Sequence, residues 1–353
     1  MSVFVYISNA EDGDIGSYRL TPDGGLQAVA RTKVASLVGP MAVSPDRRHL
    51  YVAARSQPYS VHGFAIDPVS GTLAALTVAP LAASMPYITL DRSGRFLLAA
   101  SYGAGVVSVN AVGEDGRVAA APQQVIPVGR NAHSIRADAS NRFVYVPCLG
   151  TDQIFQFVFD QKSGRLASNT PAIAPMNPMT GPRHFVTSHD NQFLYVLSEL
   201  LATVTTFALD QNTGLLTEQG SACGLPPDSL LAPGAPRGPG GPDRPRDNDI
   251  WAADIHLTPD GRFLYVSERT SSTLAAFAVD AESGTLRYLG STPTENQPRG
   301  FAIDPNGKFL VACGEKSTAV SIYAIDQANG ALRPLQKIEG GKGANWIEIV
   351  SFE

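Results

Sequence analysis

The chain has 353 residues, 44% of them apolar, and a formal net charge of −5. That balance argues against a general nucleic-acid binder, and no run of about 18 apolar residues offers a membrane-spanning helix. Its 33 glycines and 26 prolines are spread along the whole length, as many short strands and tight turns require.

The start, MSVFVYIS, has no basic segment ahead of a long apolar run, so no secretory signal is expected. FVYISN reads as a strand without a preceding partner. Beyond it, one four-strand pattern recurs. Its copies are marked by Met41 after GP, Tyr87 after MP, His133 after NA, Arg183 after GP, Asp254 after AA, Arg299 after QP and Asn345 after GA. The spacings are 46, 46, 50, 71, 45 and 46 residues. A period of about 40 to 50 residues is the mark of a β-propeller, in which each repeat is one blade that cannot bury its faces alone.

Residues 253–293 show one blade in full. ADIHLT alternates as strand a, PDG turns, and RFLYVSE is the β-rich strand b. STLAAFAVD alternates as strand c, AESG turns, and TLRYLG is strand d. The a–b turns read SPDRRH, DRSGR, DASNR, SHDNQ, TPDGR and DPNGK. The c–d turns read TPDGG, DPVSG, GEDG, DQKSG, DQNTG, DAESG and DQANG. Asp and Asn bond nearby backbone and Gly accepts positive φ, so both sets are tight turns for a physical reason. There is one c–d turn more than there are a–b turns. The spare strand NWIEIV (345–350) therefore pairs with the N-terminal strands and closes the ring, which otherwise keeps two free edges. The expectation is all-β: a seven-bladed propeller of four-stranded antiparallel blades. It forms a single domain over 1–353, with a Pro/Gly-rich insert at about 223–250.

Strands within a blade alternate in direction. The b–c loops and the connections between blades then share an upper face, and the short Asp/Gly turns share the lower one. With strand a innermost, its first residues and the last residues of b ring the upper mouth of the channel. Strand a supplies His133, Arg183, Asp254, Arg299 and Asn345, and strand b supplies Arg55, Ser101, Glu199, Arg269 and Glu315. Tyr87, Tyr102, His184, His256 and Lys316 are neighbours, and Trp251 and Trp346 stand beside strand-a starts. Four arginines, three carboxylates and a histidine converge, and such groups shift one another's pKa values. Inter-blade salt bridges explain any one of them; the excess of arginine favours a site. The insert, with Arg237, Arg244 and Arg246, joins two blades on the upper face, either as a lid or as a tolerated insertion.

Arginine matches carboxylate and phosphate oxygens and stays charged, so the mouth suits an anionic ligand. Glu199 or His133 is the candidate proton carrier, and an arginine can stabilise a forming oxyanion. No GxSxG elbow, Walker loop, Rossmann glycine fingerprint or HExxH helix is present. Cys148, Cys223 and Cys313 form no CxxC pair and no metal-ligand spacing, so reduced thiols in the cytoplasm are expected and no metal or cofactor is called for.

These residues carry a resemblance along essentially the whole chain. SYGAGVVSV (101–109), AHSIRAD (132–138), GPRHF (181–185), YVLSEL (195–200), WAADIHLTPDGRFLY (251–265), ERTSS (268–272) and QPRGFAIDPNGKFL (297–310) resemble the bacterial seven-bladed 6-phosphogluconolactonase family. The fold also resembles that of the fungal carboxymuconate lactonising enzyme. The resemblance implies lactone chemistry without a required metal. It points to His133, Arg183, Glu199 and Arg269 as the catalytic group. Arg55, Tyr102, Asp254, His256, Arg299, Lys316, Asn345 and Trp346 are the expected substrate-binding residues.

The expected reaction is hydrolysis of a sugar-acid lactone, with 6-phospho-D-glucono-1,5-lactone as the leading substrate. The alternatives are a lactone isomerase or lactonising enzyme on an unphosphorylated aldonic or aldaric lactone, and a non-catalytic scaffold. The partner is a small anionic sugar lactone, with no nucleic acid and no membrane, and the protein is expected to be a monomer or weak homo-oligomer. Two features depart from the family pattern: the insert, and SERT in place of an SNRG-type run, which sets Glu268 beside Arg269.

Overall fold

A computed structural model describes residues 2–238 and 246–353. It contains seven four-stranded antiparallel sheets, and six of them run a, b, c, d in chain order. Blades one to six begin with strands Val38–Val43, Tyr87–Leu90, Arg136–Ala137, Pro182–Thr187, Ala252–Leu257 and Gly300–Ile303. In the seventh, the C-terminal strand Ala344–Phe352 lies antiparallel to Ser2–Asn9, with Tyr6 opposite Glu348 and Ile7 opposite Ile347. The ring closes as the spare strand requires. Among the described residues no helix is long and apolar enough to cross a membrane.

Burial is greatest in strand b and least in strand d. Strand b is buried throughout, as in His49–Ala54, Phe193–Ser198 and Phe263–Glu268. Strand d is the exposed edge, as in Leu216–Cys223. Strand b is apolar on both faces because each face packs on a neighbouring blade, so its sequence is a continuous apolar run.

A repeated hydrogen bond stitches blade to blade. The buried Tyr6, Tyr51, Tyr145 and Tyr265 hydroxyls donate to the carbonyls of Gly71, Gly116, Gly214 and Gly330 at 3.1, 2.7, 2.8 and 2.7 Å. Each glycine stands in the c–d turn of the next blade. Gly71 has φ +76°, and a Cβ there would lie 2.2 Å from the Phe4 ring, so glycine is required twice over. Lower-face turns are tied in the same way: Asn141 Nδ2 donates to Asp91 at 2.8 Å, and Asn191 Nδ2 to Asp138 at 2.7 Å.

The pairing corrects one expected register. Pro182 faces Ser198 and Phe185 faces Val196, so strand a carries an extra residue there. Ala252 and Ile255 face Glu268 and Val266 in the same way. Asp254 is therefore the counterpart of His184, one layer below Arg183, and Ala253 occupies the Arg183 level. Met41 pairs with Val52 and sits two steps below the Arg183 level, as the counterpart of Phe185. The extra residue is a β-bulge, which re-aims side chains. It turns both Arg183 and His184 toward the axis.

Candidate active site

Four of the expected residues meet at the upper end of the channel. Arg183 Nε donates to Glu199 Oε2 at 2.7 Å, and Arg269 Nη2 donates to the same oxygen at 2.9 Å. The two arginines come from different blades, so Glu199 is the point where blades four and five lock. Arg183 Nη1 also donates to the Ala253 carbonyl, and Arg269 to the carbonyls of Trp251 and Ala252 at 3.0 and 3.1 Å. Exposure of Arg183, Glu199, Arg269 and His133 is 0, 3, 3 and 4%, so this cluster is shut off from bulk water. Charge pairs in such surroundings interact far more strongly than at a surface.

Burial and the facing Arg299 push the Arg183 guanidinium down to about 10, with Glu199 opposing the change. Burial brings Arg269 to about 9, again against the pull of Glu199. Both remain cationic at neutral pH. Burial first, then Arg183, His184 and Arg299, hold His133 well below the ordinary imidazole range. Its ring is neutral and able to accept a proton. His133 Nδ1 and Arg183 Nη2 are buried without a hydrogen-bond partner among the described residues. Leaving such atoms unpaired costs about 1–3 kcal/mol each, which marks the place where a ligand's polar atoms belong. Burial raises Cys148 to about 12 and Cys313 further still, so neither is a thiolate nucleophile.

An aromatic layer floors this cluster. The His184 ring lies 5.0 Å from Tyr87, 5.9 Å from Trp346 and 5.1 Å from His133, and Tyr87 lies 5.4 Å from Trp346. Arg183 Nη1 is 3.1 Å from His184 Nε2, and His184 Nδ1 is 2.9 Å from Asp254 Oδ1. The arginine donates, so the His184 proton sits on Nδ1 and faces Asp254. Burial and Arg183 bring the His184 pKa down to about 3, which keeps the ring neutral in this role. Burial opposes the charge on Asp254, yet His256 and the hydrogen bonds from His184 and His256 hold its carboxyl well below the usual range.

The described parts of the insert, 223–238 and 246–250, form the roof. Cys223 ends a strand, and the chain returns through a parallel bridge between Ala232 and Asp249. The Tyr102 hydroxyl donates to the Arg237 carbonyl at 2.7 Å, so the segment reaches from between blades four and five to blade two. Trp251 is clasped between two guanidiniums, Arg237 and Arg269, each 3.6 Å from its ring. Glu268 accepts the Trp251 backbone N–H at 2.7 Å, and its other oxygen holds Ser271. The SERT departure therefore fastens the roof. Arg244 lies outside the described residues.

The other expected residues divide into three sets. Arg299 reaches Glu315 at 3.7 Å on the rim, where Arg55 and Lys316 are exposed. Asn345 has both amide ends engaged: it accepts from Ser8 at 2.9 Å and donates to the Val38 carbonyl at 3.1 Å. Asp254, His256 and Trp346 are not brought to the upper mouth. They line a cavity that opens among the lower-face turns at Pro45, Asp91 and Arg92. Arg136 and Glu348 line it too, and sequence reasoning passed over both. Their signal was a charge inside an innermost strand, in SIRAD and NWIEIV.

The seven-bladed fold agrees with what the chain is similar to. The family described as "Lactonase, 7-bladed beta-propeller" matches residues 4–349. The chain belongs to this lactonase family. A 6-phosphogluconolactonase of Serratia proteamaculans is 37% identical, covering 99% of this chain and 100% of that protein. A 6-phosphogluconolactonase of Pectobacterium carotovorum is 35% identical over the full length of both. The structure of the Pseudomonas aeruginosa periplasmic gluconolactonase is 27% identical, with a TM-score of 0.87 over 99% of both chains.

Proposed function

We propose that this protein hydrolyses 6-phospho-D-glucono-1,5-lactone to 6-phosphogluconate. The observation that carries this reading is the buried Glu199 carboxylate shared by Arg183 and Arg269, with neutral His133 and the unpartnered Arg183 Nη2 beside it. It is supported by full-length similarity to proteins named 6-phosphogluconolactonase.

His133 Nδ1 takes a proton from water as the water oxygen attacks C1. Arg183 Nη2, backed by Arg269, stabilises the tetrahedral oxyanion. When the ring C–O bond breaks, the imidazolium returns its proton to the leaving ring oxygen. Glu199 orients both guanidiniums and balances their charge. General-base help supplies about a hundred- to ten-thousand-fold, enough for an ester that already hydrolyses slowly in water. Arg299, with Arg55 or Lys316, holds the anionic tail at the rim. The four core residues come from one chain, which suits a monomer or weak homo-oligomer. Three free cysteines, two of them buried, support the cytoplasm as its compartment.

Rates on phosphorylated and plain gluconolactone, measured side by side, test the substrate. A clear preference for the phosphorylated lactone is expected. Turnover of the plain lactone alone would instead favour the second reading, an unphosphorylated sugar lactone, which similarity to the P. aeruginosa gluconolactonase supports. In NMR of the reaction, free acid appears first, with no 1,4-lactone ahead of it.

A further inference from the structure

The lower mouth of the channel holds a second constellation that the hydrolytic reading does not use. Its cavity measures about 400 Å³ and is closed from the upper cluster by the Tyr87, His184 and Trp346 rings. Tyr87 and Trp346 meet edge to face at 5.4 Å and give it an apolar wall. On one side stand two cations. Arg136 donates to the Phe185 carbonyl at 3.4 Å and lies against the Tyr87 hydroxyl, and Arg92 Nε bonds the Asp138 carbonyl at 3.2 Å. None of these neutral partners cancels a guanidinium, so both keep charge for an anion. On the other side, Glu348 accepts from Trp346 Nε1 at 2.8 Å, and His256 Nε2 lies 3.1 Å from Asp254 Oδ2. Their remaining polar atoms suit hydroxyl groups. Burial raises Glu348 to about 7, so this carboxyl can donate as well as accept near neutral pH.

We infer that the lower mouth is a second binding site, for a small polyhydroxylated anion of the sugar-acid class. The arginines take the carboxylate, the aromatic wall takes the C–H face of the carbon chain, and Glu348 with His256 takes the hydroxyls. Ligand pockets commonly join an apolar wall to a few such convergent polar groups. A hydrogen-bonded line runs from here to the catalytic arginine, through Asp254 and His184 to Arg183. The inference rests on the cavity alone and stands apart from the identity of the lactone.

Calorimetric titration with D-gluconate and with inorganic phosphate tests it, on the wild-type chain and on Arg136→Gln and Glu348→Gln. The expected result is a gluconate site in the wild type that Arg136→Gln weakens by about ten- to a hundredfold, the loss of charge-assisted hydrogen bonds. Glu348→Gln weakens it less, and both variants keep wild-type lactonase turnover. Gluconate binding unchanged by both substitutions would overturn the inference. So would equal binding of inorganic phosphate, which has no carbon face for the rings. Loss of turnover in a folded Arg136→Gln would also overturn it, by making the cavity part of the catalytic site. A protein inactive on every lactone that still binds gluconate through Arg136 would refute the proposed reaction and leave this site standing.

Discussion

The seams between blades and the axis they surround are built on opposite rules. At the seams one device recurs: a strand-b tyrosine reaches a turn glycine in the next blade, at Tyr6, Tyr51, Tyr145 and Tyr265. At the axis no single residue type is kept. Equivalent strand-a positions hold His133, Arg183, Ala253, Arg299 and Asn345. Repetition closes the ring, and departure from repetition makes the site. A residue's role can therefore be judged by whether its register mates share its chemistry.

Substitutions at the axis and at the seams should separate these rules. The largest effect is expected at Glu199. Glu199→Gln cannot hold two guanidiniums, and lactone hydrolysis should fall by about a hundredfold or more while circular dichroism stays native. Wild-type turnover in the folded variant would remove the carboxylate from the mechanism. Arg183→Met comes next. It leaves the buried Glu199 charge with one partner fewer, and loss of half a buried pair costs about 3–5 kcal/mol. A matching drop in unfolding free energy is expected in urea titration, along with lost activity.

The pH profile sharpens the assignment of His133. Its pKa is depressed, so the ring stays neutral on the acid side of the ordinary imidazole value of about 6.5. kcat/KM, corrected for spontaneous hydrolysis, should hold its plateau through that value and fall only at lower pH. An inflection near 6.5 that disappears in His133→Asn would mean the ring is solvated. The smallest axial effect is expected at the roof. Arg237→Ala loses one face of the Trp251 clasp, a contact worth about 0.5–2 kcal/mol. KM should rise several-fold with little change in melting temperature. At a seam, Tyr145→Phe should do the reverse, lowering unfolding free energy by about 1 kcal/mol and leaving kcat and KM alone.

Blade count, strand order and ring closure were legible because each rests on local chemistry repeated many times: Asp/Gly turns, apolar strand-b runs and one unpaired strand at each end. The tyrosine seam was legible too, as a tyrosine inside an apolar strand in FVYI, HLYV, FVYV and FLYV. The layer of each axial residue was not. A single extra residue at a β-bulge moved Asp254 one level down, away from Arg183, and flanking dipeptides such as GP and AA do not report bulges. Nor did the sequence separate upper mouth from lower. His256 and Trp346 are close in sequence to upper residues, but the inner strand sets Trp346 in the aromatic floor and carries His256 past it.

A structure of the protein with 6-phosphogluconate bears most directly on the site. The account predicts the C1 carboxylate above the aromatic floor, with oxygens within hydrogen-bond reach of Arg183 Nη2 and His133 Nδ1, two buried atoms of the cluster without a partner among the described residues. It predicts the phosphate turned toward Arg299. An upper cluster left empty, with product held only elsewhere, would contradict it.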